Sequence, residues 1–366
     1  MPNIKQLIED LTLEEKIELL SGFDAWQTNK IDRLEIPNIK MSDGPNGVRG
    51  DGNSGKSSAC FPCAISIGSS WNINLINTLG KELAAEAKLK DVDVLLGPTI
   101  NIHRHPLGGR HFECFSEDPF LTGKIAIEYV KGVQSKNIAA CLKHFVGNDT
   151  EFERYTISSN IDEKTLREIY LLPFEMAIKE ANAKVVMSAY NKLNNIYCSS
   201  HENLLINILK NEWGFDGYVV SDWGAARETI RNAIGGLDLE MPGPAMSWGE
   251  NLITAVNDKK VSEELINDKV KRILNVVSFC KRFENPIRKP ESSNDSKLKR
   301  KLLKEAAQEG MVLLKNDGIL PIKKDIKSIG IIGPNAEKAQ IIGGGSATLV
   351  PYHESHPVSS FQNNFS

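Results

Sequence analysis

The segment GYVVSDWGA (217–225) places a carboxylate, Asp222, beside an indole, Trp223, where a short apolar run stops. Other reactive side chains hold the same relative position. Asp43 ends the run in IPNIKMSDGPNG, Lys143 and His144 close NIAACLKH, and Tyr190 follows KVVMSA. Arg110 stands in the polar stretch behind a further run, DVDVLLGPTIN, and Arg154 in the stretch that follows Lys143 and His144. Arginine, lysine and histidine donors around carboxylates suit a ligand rich in hydroxyls. A flat indole suits a sugar ring, which has polar edges and C–H faces. Nearby cations are expected to lower the pKa of Asp222 and keep it ionised. An ionised carboxylate beneath a ring carbon is what nucleophilic glycoside chemistry needs.

Each residue taken singly has a plainer reading. Lysine, arginine and aspartate often form structural ion pairs, a tryptophan often packs in a core, and Asp43 before Gly44-Pro45 suits a turn. His144 equally suits a satisfied core position. The argument for a site is their convergence, and convergence requires elements that bring them to one face.

The apolar runs supply such elements. IPNIKMSDGPNG (36–47), DVDVLLGPTIN (91–101), NIAACLKHFVGND (137–149), KVVMSAYNKLNN (184–195), GYVVSDWG (217–224) and GGLDLEMPG (235–243) alternate with helix-period segments at 74–89, 163–181 and 203–214. Repeated strand, loop and helix predicts a parallel α/β fold. The strands are apolar rather than alternating, as strands buried on both faces should be. Their reactive residues lie at the C-terminal ends, the active-site edge of a (β/α)8 barrel. An open doubly wound sheet would gather ligand groups at one crevice instead. The expected fold is a TIM-barrel-like (β/α)8 domain over 1–283, then a polar linker over 284–296. A helix over 297–316 follows, and SIGIIGPNA (328–336) reads as a buried strand. Residues 297–366 thus read as the incomplete start of a second α/β domain, cut short or completed by another chain.

Bulk properties exclude several classes. The chain has 366 residues, 44 Lys and Arg against 47 Asp and Glu, and a net charge of −3. That balance predicts no nucleic-acid or membrane partner. The basic run KLKRKLLK (297–304) reads as one solvated helix face. The N-terminus lacks an apolar signal core, which suggests a cytoplasmic protein. Cys60 and Cys63 form a C-x-x-C without a thioredoxin-like strand or a second pair for zinc. His103, His105 and Glu113 do not have helix-borne metal spacing, and no metal or cofactor is expected. Gly343-Gly344-Gly345-Ser346 lacks the Lys-Ser or Lys-Thr of a phosphate loop, and IGIIGPNA lacks G-x-G-x-x-G.

Longer stretches carry a resemblance. SDGPNGVR (42–49), PLGGRHFECFSEDP (106–119), CLKHFVGND (141–149) with Arg154, MSAYNKLNN (187–195) and NEWGFDGYVVSDWGA (211–225) resemble glycoside hydrolase family 3 of the β-glucosidase type. EAAQEGMVLLKNDGILPI (305–322), IGIIGPNA and GGGSATLVPY resemble that family's lead-in to, and opening of, a second α/β sandwich domain. The resemblance implies a retaining β-glucosidase without a cofactor, acting on terminal β-D-glucosyl residues of β-glucosides or oligosaccharides. It implies Asp222 as nucleophile and Trp223 as an apolar wall. It implies Asp43, Arg110, Lys143, His144, Arg154 and Tyr190 as groups holding the sugar's hydroxyls, with Met187 lining the pocket. Asp43 points to a hexose, since xylosidase-type relatives tend to carry Glu near there. KHFVGNDTEFERY lacks the second histidine of the β-N-acetylhexosaminidase subgroup.

Retaining hydrolysis needs two carboxyls about 5–5.5 Å apart. The resemblance implies an acid/base Glu from the second domain, and no position in this chain matches it, Glu354 included. Four other readings stay open: a β-xylosidase-type relative, a non-catalytic sugar-binding short form, a split enzyme completed by a second chain or homo-oligomer, and a different barrel enzyme such as an aldolase. In the last, Lys143 would form a Schiff base. SIGIIG and MVLLK are expected to expose apolar surface and lower solubility.

Overall fold

A computed structural model describes residues 2–51, 55–323 and 325–365. Residues 52–54 of the GDGNSGKSSA loop lie outside the described residues. Five fully buried parallel strands form the core: β1 (Met41–Asp43), β2 (Val94–Leu96), β3 (Ala139–Phe145), β4 (Val185–Ser188) and β5 (Tyr218–Ser221). They pair in chain order, with Met41 beside Val94, Val94 beside Ala139, Cys141 beside Val185, and Val185 beside Tyr218. Burial on both faces explains why each run is apolar throughout.

The sheet curls back to its first strand. Val220 of β5 bridges Leu239 in parallel, and Glu240 bridges Ser21 in parallel. The chain then reverses: Gly22 pairs antiparallel with Thr28, and Gln27 antiparallel with Lys40, next to β1. Met41 N donates to Trp26 O at 2.8 Å, completing the turn. Closure needs two backbones in contact. A Cβ on Gly22 would lie 2.4 Å from Gly243 N, so only glycine fits there. The curled parallel sheet with helices agrees with the expected barrel-like α/β domain. It departs from a regular repeat where residues 21–40 close the ring without an intervening helix longer than the turn Asp32–Leu34.

Helices cover the sheet and start on side-chain caps. Asn72 caps Ile73–Leu89, Asp118 caps Pro119–Gln134, and Ser262 caps Glu263–Phe279. The predicted helix over 163–181 runs through a π-helical stretch, Leu166–Leu171. It precedes Leu172–Ala181, in which Pro173 has no N–H to donate. The predicted 203–214 helix is Asn203–Glu212. No helix among the described residues is long and apolar enough to cross a membrane.

Three expectations for the C-terminal part need correction. The helix expected to reach 316 spans Lys297–Glu309 and stops at Gly310. Its basic run is not uniformly solvated, because Lys299 points inward and is buried. SIGIIGPNA forms no strand, and Ile332 is 98% exposed. A strand needs a paired neighbour, and residues 328–336 have none among the described residues. The expected apolar exposure is present, with Leu314 91% exposed.

Below the sheet lies a fully buried carboxylate, Asp238. It accepts from Lys210 Nζ at 2.7 Å and from Val219 N at 2.8 Å, with Lys269 Nζ at 3.8 Å. Burial drives Lys269 down to about 7 although Asp238 opposes the shift. Removing the anion would leave the Lys210 and Lys269 amines without a counter-charge, each keeping only a backbone carbonyl, and would strand the Val219 N–H. Asp238→Ala is therefore expected to cost about 3–5 kcal/mol of stability, read by urea denaturation of the intact chain.

Candidate active site

At the C-terminal edge of the strands a cavity of about 570 Å³ opens. That volume lies within the ~300–1,000 Å³ range of small-molecule sites. Its walls include every residue assigned to the sugar site from the sequence: Asp43, Arg110, Lys143, His144, Arg154, Met187, Tyr190, Asp222 and Trp223. The strands dictate this convergence. Asp43 ends β1, Lys143 and His144 lie near the end of β3, Met187 is in β4, and Asp222 follows β5. Tyr190 follows β4, while Arg110 and Arg154 come from the loops after β2 and β3.

Asp222 sits at the centre of the electrostatics. Its Oδ1 accepts from Trp223 N at 2.8 Å, while Oδ2 is buried and makes no hydrogen bond. Burial pushes its pKa up, and Arg110 and Lys143 draw it down without cancelling the rise. This corrects the expectation of a lowered pKa. The neighbouring cations are real, but the desolvation that comes with the cavity's depth outweighs them. Asp43 follows the same pattern, raised by burial against Lys143, Arg49 and Arg110. Its ion pairs are long, 3.5 Å to Lys143 and 3.6 Å to Arg49, leaving its oxygens room for another donor.

His144 is neutral. Burial lowers its pKa well below the ordinary value, and Arg110, Lys143 and Arg154 push the same way. Arg110 donates to Nε2 at 3.2 Å, which assigns the ring proton to Nδ1, facing Asn101 Oδ1 at 3.3 Å. The 3.5 Å approach of His144 Nε2 to Asp222 Oδ2 is therefore not an ion pair. Asn101 also binds both the N–H and the C=O of His144, at 2.8 and 2.9 Å.

The aromatic wall is fixed from behind. Trp223 Nε1 donates to Ala25 O at 2.8 Å, and its ring lies 5.6 Å from that of Trp26. Tyr190 Oη donates to Trp223 O at 2.9 Å. Arg154 lies over the Tyr190 ring at 4.7 Å and pairs with Glu151 at 2.6 Å.

Sequence reading missed several wall residues. Glu113, weighed only as a metal ligand, grips Arg110 with two bonds, at 3.0 and 2.8 Å. Gly343–Ser346, dismissed as a phosphate loop, lines the cavity, and Ser346 Oγ accepts from Arg110 at 2.9 Å. Trp26, Arg49, Phe112 and Glu151 also line it. Arg49 was within reach, because it closes the quoted SDGPNGVR stretch. Cys60 and Cys63 lie outside the cavity as free thiols, and burial raises Cys60 to about 11.

Comparison with known proteins places this geometry among relatives. The Glycosyl hydrolase family 3 N terminal domain matches residues 4–276, and the family's C-terminal domain matches 311–366. A beta-glucosidase of Rhizobium radiobacter is 48% identical over 362 residues, 98% of this chain and 44% of that protein. The crystal structure of a Kluyveromyces marxianus beta-glucosidase in complex with glucose superposes with a TM-score of 0.96 at 42% identity, covering 100% of this chain and 45% of that one. Beta-glucosidase 3B from Thermotoga neapolitana, in complex with alpha-D-glucose, gives 0.88 at 34% identity, covering 99% and 54%. This chain spans about half the length of the curated relatives it matches. With its N-terminal family domain matched over nearly the whole sheet and cavity, the chain belongs to glycosyl hydrolase family 3.

Proposed function

We propose that the cavity binds the terminal β-D-glucosyl unit of a β-glucoside and that Asp222 is the nucleophile of a retaining hydrolysis. The observation that carries this is Asp222 Oδ2, a buried carboxylate oxygen with no hydrogen-bond partner in a cavity lined by Arg110, Lys143 and Trp223. In the proposed reaction, Oδ2 attacks the anomeric carbon, and the aglycone leaves with the bonding electrons and takes up a proton. Water then cleaves the glycosyl ester, and two inversions restore the β configuration. Trp223 offers its face to the C–H side of the sugar. Asp43, Lys143, Arg110 and Arg154 offer acceptors and donors to the hydroxyls, His144 adds a neutral ring to the wall where a hydroxyl would have to share its Nε2 with Arg110, and Met187 lines the pocket beside them. The relatives named beta-glucosidase, and two solved with glucose, support this reading.

Glu113 and Glu151 also line the cavity, but neither is proposed as the acid/base, because each is committed to holding an arginine. We further propose a division into a catalytic part over 1–283, a linker over 284–296, and a second-domain start over 297–366. The two matched family regions are consistent with that division.

An activated 2-fluoro aryl glucoside tests the assignment, since its good leaving group needs little acid help. Intact mass followed by peptide mapping should show one added glycosyl group on Asp222, and Asp222→Asn should show none. A label elsewhere, or no label on folded protein, would overturn it. The pH profile follows from the sign of the shift. Attack requires the carboxylate, and its raised pKa means that reactivity is present at high pH and lost as pH falls through the folded value. The acid limb of labelling should thus lie above the ordinary aspartate value of about 3.9.

A further inference from the structure

The Gly343–Ser346 loop reaches the cavity only because the chain behind it is tied down. Beyond Ser346, Ala347 and Leu349 are buried. Leu349 packs on the SDGPNGVR loop at Gly47, where a Cβ would lie 2.4 Å from Leu349 Cδ2. Ser58 N donates to Val350 O at 2.8 Å and Tyr352 N to Ser58 O at 3.1 Å, a short parallel pairing. These contacts end on one side chain, Glu86 of helix Ile73–Leu89, which is fully buried. Its Oε2 accepts from Ala59 N at 3.2 Å. Tyr352 Oη lies 3.3 and 3.2 Å from its two oxygens. Lys299 Nζ, from the helix Lys297–Glu309, pairs with Oε1 and also donates to Asn294 O at 2.6 Å. Asn294 N in turn donates to Tyr352 Oη at 2.9 Å.

We infer that Glu86 is a positioning residue: it fastens residues 347–352 to the barrel and thereby holds Gly343–Ser346 over Arg110 as the roof of the cavity, setting its affinity for sugar. A buried carboxylate must be satisfied, and here the partners that satisfy it come from three segments. The 57–59 loop, the linker with its following helix, and the tail can meet that need only when docked together. The Glu86 carboxylate lies outside the cavity and so acts through the tail rather than on a ligand. The affinity part rests on the glucoside reading above, whereas the roof does not.

Two measurements on the full chain separate these parts. Hydrogen exchange without sugar should show peptides covering 340–352 exchanging at least ~10-fold faster in Glu86→Gln, with β3 and β5 unchanged. Tyr352→Phe removes the hydroxyl's contacts to Glu86 and Asn294 without stranding Lys299, and should shift the same peptides less. Labelling by the 2-fluoro glucoside should then need a ~10-fold higher half-saturating concentration in Glu86→Gln, with its limiting rate unchanged. In a Ser346→Ala background that difference should shrink, because the loop's grip on Arg110 is already gone. Unchanged exchange in both variants, or a uniform rise across the barrel, would overturn the inference. So would an undiminished effect in the Ser346→Ala background. If the unmodified chain takes no label, the glucoside reading fails, and exchange alone decides whether Glu86 holds the roof.

Discussion

The guanidinium of Arg110 is the group on which the rest of the cavity depends. Its fork is held from one side by Glu113, it donates to His144 and to Ser346, and its charge acts on Asp222 and Asp43. A planar fork with several fixed donors can serve these partners at once, which a lysine's point charge cannot. Glu113 matters because it fixes the direction of the other bonds. Arg110 also joins the barrel to the tail, since Ser346 comes from a segment more than two hundred residues further along the chain.

Around that cation the site bears an unbalanced cost. Asp222 is buried, one of its oxygens is unmatched, and the nearby positive charges do not restore its ordinary acidity. His144 contributes no charge to help, because burial, with the Arg110, Lys143 and Arg154 cations beside it, keeps its ring neutral. The strands beneath, buried along their whole length, hold the carboxylate at that depth. Preorganised polarity without a partner is what a site offers to charge that arrives or develops in it.

The strand ends were legible because burial on both faces leaves a plain record: apolar runs that stop at one polar residue. That record located Asp43, Lys143, His144, Tyr190 and Asp222 in one mouth. It did not reveal that residues 21–40 close the ring, because isolated bridges between short segments leave no periodic pattern. Ser346 was missed for a different reason. Its role comes from a contact across the whole chain, and a Gly-Gly-Gly-Ser stretch looks the same over a phosphate, over an arginine, or in a linker. The expected strand at 328–336 failed because apolarity reports a preference for cover and cannot supply it. The direction of the Asp222 shift was misjudged because cations can be counted in a sequence, whereas depth of burial cannot.

Ring closure joins Ser21 to Glu240, a separation of 240 − 21 = 219 residues. At a synthesis rate of ~5–20 residues per second, the N-terminal stave waits on the order of 10–40 s on the ribosome before its partner exists. Over that interval β1 and the segment beside it present an open edge in a growing, half-made barrel. The close approach of Gly22 to Gly243 can form only once residue 243 exists. A nascent chain paused before residue 240 would be a natural client for chaperones that bind exposed strand edges.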